Sequence, residues 1–295
     1  MQTRWLFRFT YLYLTLPFII FCMFWLRLSI AIPVTALILW VLWQLLKQSP
    51  DNQFPISNSR FPIYLLLLTG IWVFLSGVGG YAFQNWDHHW RNAVLRDLIN
   101  YDWPVVYSSA ERGPFKMLIY YVGYWLPAAL AGKLLGWKFA NFFLFLWTWL
   151  GVFLTVLHLN TKLKTTLLKT ALLIILFSGM DALGTLILAP DYPTLFPPIQ
   201  HLEIWPGNLQ YSSFTTQLFW VFNQAVPAWL YVSIFVTLSL STSLKINSAK
   251  GPPPGGRDSS LPTPALAGST REERVAQNDI RGQLAFIWSL CFFFA

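Results

Sequence analysis

The chain has 295 residues, 55% of them hydrophobic and only 11% charged, with a mean hydropathy of +0.49. Soluble domains carry about 25% charged residues, so an ordinary soluble globular domain is excluded. The net charge of +8 does not point to nucleic acid, because the basic residues fall between apolar runs, where they set membrane topology.

A membrane-crossing helix needs roughly 20 mostly apolar residues. Five segments meet that length, about 6–26, 28–47, 62–80, 138–157 and 166–189, and a sixth runs near 217–241. Each is expected to be helical, because a spanning segment must satisfy its backbone internally. Arg4 and Arg8 ahead of the first apolar run look like the start of a signal peptide. No small-residue cleavage site follows, so the run reads as a retained span. Pro17, Pro33 and Pro227 are candidate kinks within three spans. Cys22 lies in the first apolar segment and Cys291 in the last, so no disulfide framework is indicated. Aromatic residues make up 18% of the chain, a load that suits lipid-facing surfaces and interfacial belts.

Between the third and fourth apolar segments lies a polar island, from Gln84 through Asp87, His88, His89, Arg91 and Arg96 to Trp103-Pro104. Trp86, Trp90, Val94 and Leu98 recur at helical spacing and predict an apolar stripe. His88, Asn92 and Arg96 share another face, and Asp87 stands four residues before Arg91. This predicts an amphipathic helix over about 86–100, lying on the membrane surface with its polar face toward water or a cleft. The plainer reading is an ordinary interfacial helix whose Asp–Arg pair contributes a few tenths of a kcal/mol.

The segment 116–136 is apolar enough to span but carries Lys116, Gly123, Pro127, Gly132 and Lys133. Reading it as an interfacial helix puts Arg4, Arg8, Lys47, Arg60, Lys162, Lys164, Lys169 and the basic tail on the inner side, as the positive-inside rule favours. The N-terminus is then cytoplasmic, with loops 81–137 and 190–216 outside. The transmembrane domain is expected to occupy 1–245. Residues 246–283, rich in Pro, Gly, Ser and charge, read as a disordered basic linker. Residues 284–295 are apolar but too few to span, and read as the start of an interrupted apolar segment or as an interfacial anchor. The fold class is therefore an all-α polytopic transmembrane bundle with an outer-loop amphipathic helix. No internal repeat is visible.

Other polar groups fall near or within the apolar runs. Asp181 lies inside the fifth span, where a carboxylate costs at least a few kcal/mol unless paired or hydrated and so marks a functional site by default. Its alternative is a helix–helix hydrogen bond involving groups such as Asn141 and Asn223, worth about 0.6 kcal/mol. His201 and Glu203 form a His-x-Glu pair in the second outer loop. A divalent metal there would need further ligands from Asp87, His88 or His89, and no cofactor is assigned. The stretch from Tyr211 to Gln217 offers hydroxyls and aromatics that suit a sugar or an interfacial belt. P-loop, Rossmann, HExxH and GxSxG patterns are absent.

The order of these parts resembles the multi-pass glycosyltransferases of the GT-C class, which use lipid-linked sugar donors. An apolar span leads to an outer loop that opens on Asp87, continues as an amphipathic helix, then reads Trp103-Pro104 and Gly113-Pro114-Phe115-Lys116. An apolar interfacial helix and a span ending in a basic loop follow. The resemblance covers about residues 62–189. It implies that Asp87 matches the class's acidic residue, acting as base or orienting the acceptor, and that Arg91 and Arg96 hold a donor phosphate. His88, Asp181, His201 and Glu203 would be further polar positions of the site. It also implies a multi-pass protein of the bacterial inner membrane whose partners are membrane lipids and a lipid-linked sugar. The chain departs from the class in having two spans before the loop-bearing one. A transporter or channel with Asp181 on a polar path and Asp87–Arg91 as a gate, and a non-catalytic membrane scaffold, are the competing readings.

Overall fold

The computed structural model describes residues 4–48, 63–107, 116–163, 165–177, 187 and 212–249, with the main chain alone at 48 and 239–249. It is mostly helical. In chain order the helices are α1 (Arg4–Trp25), α2 (Leu28–Gln48), α3 (Ile63–Leu75), α4 (Trp86–Asn100), α5 (Leu126–Leu135), α6 (Trp137–Leu163), α7 (Leu167–Leu176) and α8 (Phe214–Ala249). A short antiparallel ladder pairs β1 (Val106–Tyr107) with β2 (Lys116–Met117), and a 3-10 turn (Val122–Trp125) leads into α5.

Four helical stretches are long and apolar enough to cross a membrane: Arg4–Trp25, Leu28–Lys47, Trp137–Leu163 and Phe214–Leu238. Their lateral faces carry large apolar side chains that no protein covers. On α2, Leu28 is 70% exposed, Ile32 63% and Trp40 57%. Contiguous apolar surface of this extent is not left facing water by soluble proteins, and is consistent with a membrane-embedded bundle.

α6 is the central helix and packs against α1, α3, α5, α7 and α8. Close approach is set at Gly151, where a Cβ would collide with Val226 of α8 and the Tyr13 hydroxyl of α1. Small residues let helices approach closely where lipid, not water, is the competitor. Buried polar pairs add direction. His158 Nε2 lies 2.9 Å from Thr10 Oγ1, tying α6 to α1, and the Tyr124 hydroxyl donates to Thr148 Oγ1 at 2.9 Å. Tyr13 stacks on Trp147 with ring centroids 4.0 Å apart.

Three sequence expectations are corrected. The apolar run over 62–80 is not one helix. α3 has 13 residues, about 20 Å at 1.5 Å per residue, and ends in a turn in which Gly77, Gly79 and Gly80 take positive φ. At Gly77 (φ +82°) a Cβ would meet the Phe83 carbonyl, so the chain reverses there because glycine permits it. Nor is 116–136 a single helix. Lys116 and Met117 are strand residues, and the 10-residue α5 starts only at Leu126, with Pro127 in its first turn, where a missing N–H costs nothing. The break in α8 lies at Val221 (φ −135°, ψ 38°), six residues before Pro227. Pro227 cannot donate to the Asn223 carbonyl, so the disturbance falls on its N-terminal side.

α7 accounts for the first part of the expected 166–189 span; the remainder lies outside the described residues apart from 187. α8 contains the expected 217–241 span and runs on to Ala249, past the expected linker start at 246. The linker beyond 249 and the segment 284–295 lie outside the described residues.

Candidate functional site

The polar island forms α4. Asn85 caps it, its side-chain oxygen accepting from the Asp87 amide at 3.1 Å. An Asn immediately before a helix satisfies one of the unpaired first-turn amides. Asp87 sits in that first turn, where the positive end of the helix favours a carboxylate. Arg91 Nη2 donates to Asp87 Oδ2 at 3.1 Å. The two partners differ in environment: the Asp87 side chain is 38% exposed and the Arg91 side chain 6%. Arg91 Nε and Nη1 are buried and have no hydrogen-bond partner among the described residues. Its guanidinium lies 5.7 Å from the Phe222 ring centroid.

His88 and Asn85 fasten this helix to the break in α8. His88 Nε2 donates to the Phe219 carbonyl at 3.1 Å, and Asn85 Nδ2 donates to the same oxygen at 2.8 Å. In an unbroken helix that carbonyl would accept from the Asn223 amide, and Val221 lies inside that turn. The His88 ring also stacks on Phe222, with centroids 5.6 Å apart. Burial pushes the His88 imidazole below its ordinary range; the Phe219 carbonyl opposes this and the Arg91 charge adds to it.

The attachment turns part of the polar face of α4 into a cleft, one of the two orientations expected of it. His88, Arg91, Leu95 and Leu98 form the buried face, while Trp86 and Trp90 stand outward. The predicted stripe of Trp86, Trp90, Val94 and Leu98 is therefore not the packing face as a whole. Successive residues turn by 100°, so a rotation that brings His88 to the α8 carbonyl turns Trp86 away by 200°.

Arg96 is not part of the Asp87–Arg91 pair. Its guanidinium lies over the Trp137 ring of α6, 4.9 Å from the centroid. The rest of α4 is pinned by other contacts. Trp103 Nε1 donates to the Leu98 carbonyl at 2.7 Å, and Lys133 Nζ donates to the Tyr101 carbonyl at 2.6 Å. The Tyr107 hydroxyl donates to Asp97 at 2.5 Å, and its pKa is pushed up to about 12 by burial and by that carboxylate. Tyr120 is pushed up by burial, with the Arg91 charge opposing.

Asp181, His201 and Glu203 lie outside the described residues. Among the described residues no group of three or more His, Cys, Asp and Glu is placed to hold a metal ion. Sequence reading missed Asn85, Phe219 and Phe222. Asn85 was discoverable as a cap signal. Phe219 was not, because it acts through its carbonyl.

Chemically, the arrangement pairs a solvent-accessible carboxylate with a buried cation that has hydrogen-bonding capacity to spare. Leaving a buried charged donor unpaired costs on the order of 1–3 kcal/mol, so an unsatisfied buried group in a native structure calls for a cause such as a ligand, an ordered water or a catalytic role. An anion reaching Arg91 would satisfy Nε or Nη1, and Asp87 could accept a proton. No family model, curated protein or solved structure matches this chain.

Proposed function

We propose that the chain is a multi-pass membrane protein with a cytoplasmic N-terminus that moves a sugar from a lipid-phosphate donor at the outer face of the membrane, as the GT-C class does. The observation that carries the reading is Arg91, buried beside Asp87 with Nε and Nη1 unpartnered. A phosphate oxygen is the kind of acceptor those donors suit. Arg96, whose guanidinium lies over the Trp137 ring, is the second cation offered to the donor phosphate. Asp87 takes the proton from the acceptor hydroxyl as the sugar transfers. Arg91, whose side chain is buried beside the Phe222 ring, stabilises the negative charge on the departing phosphate. The transporter reading leans on Asp181, which lies outside the described residues, and nothing in the α4 site favours it.

The test uses full-length protein in lipid nanodiscs with a panel of polyprenyl-phosphate sugars and water-soluble acceptors. Asp87→Asn is expected to abolish transfer while membrane insertion is unchanged. Transfer at the parent rate in that variant rejects Asp87 as the base. Topology is checked by single cysteines at Ser109 and Ser248 in a protein lacking Cys22 and Cys291. An impermeant thiol reagent on intact cells should label the first and spare the second.

A further inference from the structure

Three large aromatic side chains project from the α4 region with little protein against them. Phe83 is 86% exposed, Trp86 69% and Trp90 64%. Trp86 and Trp90 are one turn apart, on the side of α4 away from His88 and Arg91. In water such a cluster would expose apolar rings at a standing cost.

The level of these rings is set by what α4 touches. Asn85 and His88 bind the Phe219 carbonyl near the start of α8. Arg96 lies on Trp137, the first residue of α6. Trp103, just beyond α4, packs against Trp25, the last residue of α1, with centroids 5.1 Å apart. α4 therefore lies across the same ends of three helices that are long and apolar enough to cross a membrane. Two residues before Phe83, Tyr81 stacks on Phe74 of α3, whose own flank leaves Ile71 and Leu75 more than half exposed. The three rings thus stand at the level where the long apolar helices end. Trp and other aromatic rings are favoured at that depth, because one edge of the indole is apolar and the other donates a hydrogen bond.

We propose that Phe83, Trp86 and Trp90 insert into the lipid headgroup layer and seat α4 there as an interfacial helix, holding Asp87 and Arg91 at the depth of the lipid phosphates. The occupant of this surface is the bilayer that holds the bundle. The inference rests on the membrane-spanning part of the proposed function and not on sugar transfer.

The experiment is spin-label depth measurement on the full chain in nanodiscs, in a Cys22→Ala, Cys291→Ala background. Single labels are placed at Trp86→Cys and Trp90→Cys, at Ala93→Cys on the same outward side as a substitution that removes no ring, at Asp102→Cys, an exposed charged position beyond α4, and at Leu37→Cys on α2. Collision with oxygen, which concentrates in lipid, is compared with collision with a water-soluble nickel chelate. The expected result is an oxygen-to-nickel ratio at positions 86, 90 and 93 several times that at position 102 and below that at position 37. A nickel accessibility at 86, 90 and 93 equal to that at position 102 overturns the proposal, since the rings then face water. Exclusion of both reagents also overturns it. Accompanying spin–spin broadening would identify a second copy as the cover, and its absence another part of the chain. High nickel accessibility at position 37 would remove the membrane-spanning premise itself, an outcome separate from any result on transfer activity.

Discussion

Replacing Arg91 with Met separates a ligand-binding arginine from a structural one. The guanidinium buries two donors, Nε and Nη1, without partners, and each such group costs roughly 1–3 kcal/mol relative to a satisfied one. Against this stand two favourable contacts. The ion pair with Asp87, which is 38% exposed, is worth about 0–1 kcal/mol because water screens one partner. The contact with the Phe222 ring at 5.7 Å contributes about another 0.5–1 kcal/mol. Met fills similar space with a flexible apolar chain. The balance predicts that Arg91→Met is neutral to stabilising by about 1–2 kcal/mol, in line with buried charges elsewhere that yield to apolar residues. In a detergent melt followed by intrinsic fluorescence this appears as an unchanged midpoint or a rise of a few degrees. The same variant should lose sugar transfer, because the buried guanidinium donors for the phosphate are gone. A midpoint lowered by the equivalent of about 2 kcal/mol or more would refute the reasoning. Arg91 would then hold the fold together, and its spare donors would carry no functional meaning.

Other substitutions probe the frame around it. His88 is held below its ordinary pKa by burial, so between that lowered value and about 6.5 the unfolded chain binds the proton and the folded chain does not. Its contribution to stability is therefore complete above about pH 6.5 and lost as pH falls toward the lowered value. His88→Gln, which keeps a donor near the Nε2 position, should flatten the difference between melts at low and neutral pH; an identical pH slope in the variant would contradict this. Asn85→Ala removes the α4 cap and one of two bonds to the Phe219 carbonyl, and should lower stability by about 1–2 kcal/mol, read from the same melts. Gly77→Ala forces a Cβ onto the Phe83 carbonyl at positive φ and should cost more than about 1 kcal/mol. A neutral result there would mean the α3–α4 turn has another conformation.

The helices long and apolar enough to cross a membrane are legible in the sequence. α1, α2, α6 and α8 each contain a long apolar stretch that is almost uncharged, and in lipid the helix is the one arrangement that satisfies such a backbone alone. The island from Gln84 to Asn100 was also legible as a helix, since its Asp–Arg spacing and apolar recurrence share one period. Its rotation was not. Two faces of α4 were plausible packing faces, one aromatic and one holding His88, and local sequence weighs them against water alone. The tertiary structure offers a different competitor: a backbone carbonyl at the α8 break, supplied from 131 residues away. Binding it turned His88 and Arg91 inward, put Trp86 and Trp90 outside, and sent Arg96 to Trp137. The glycine turn that ends α3 follows the same logic in reverse. Its residues read as apolar continuation, but positive φ at Gly77 is a backbone state that hydropathy does not register. Composition, length and period thus determined which segments are helices. Which faces of the loop helix meet protein was decided by contacts between segments far apart in the chain, because a hydrogen bond to a distant carbonyl leaves no mark on the residues near it.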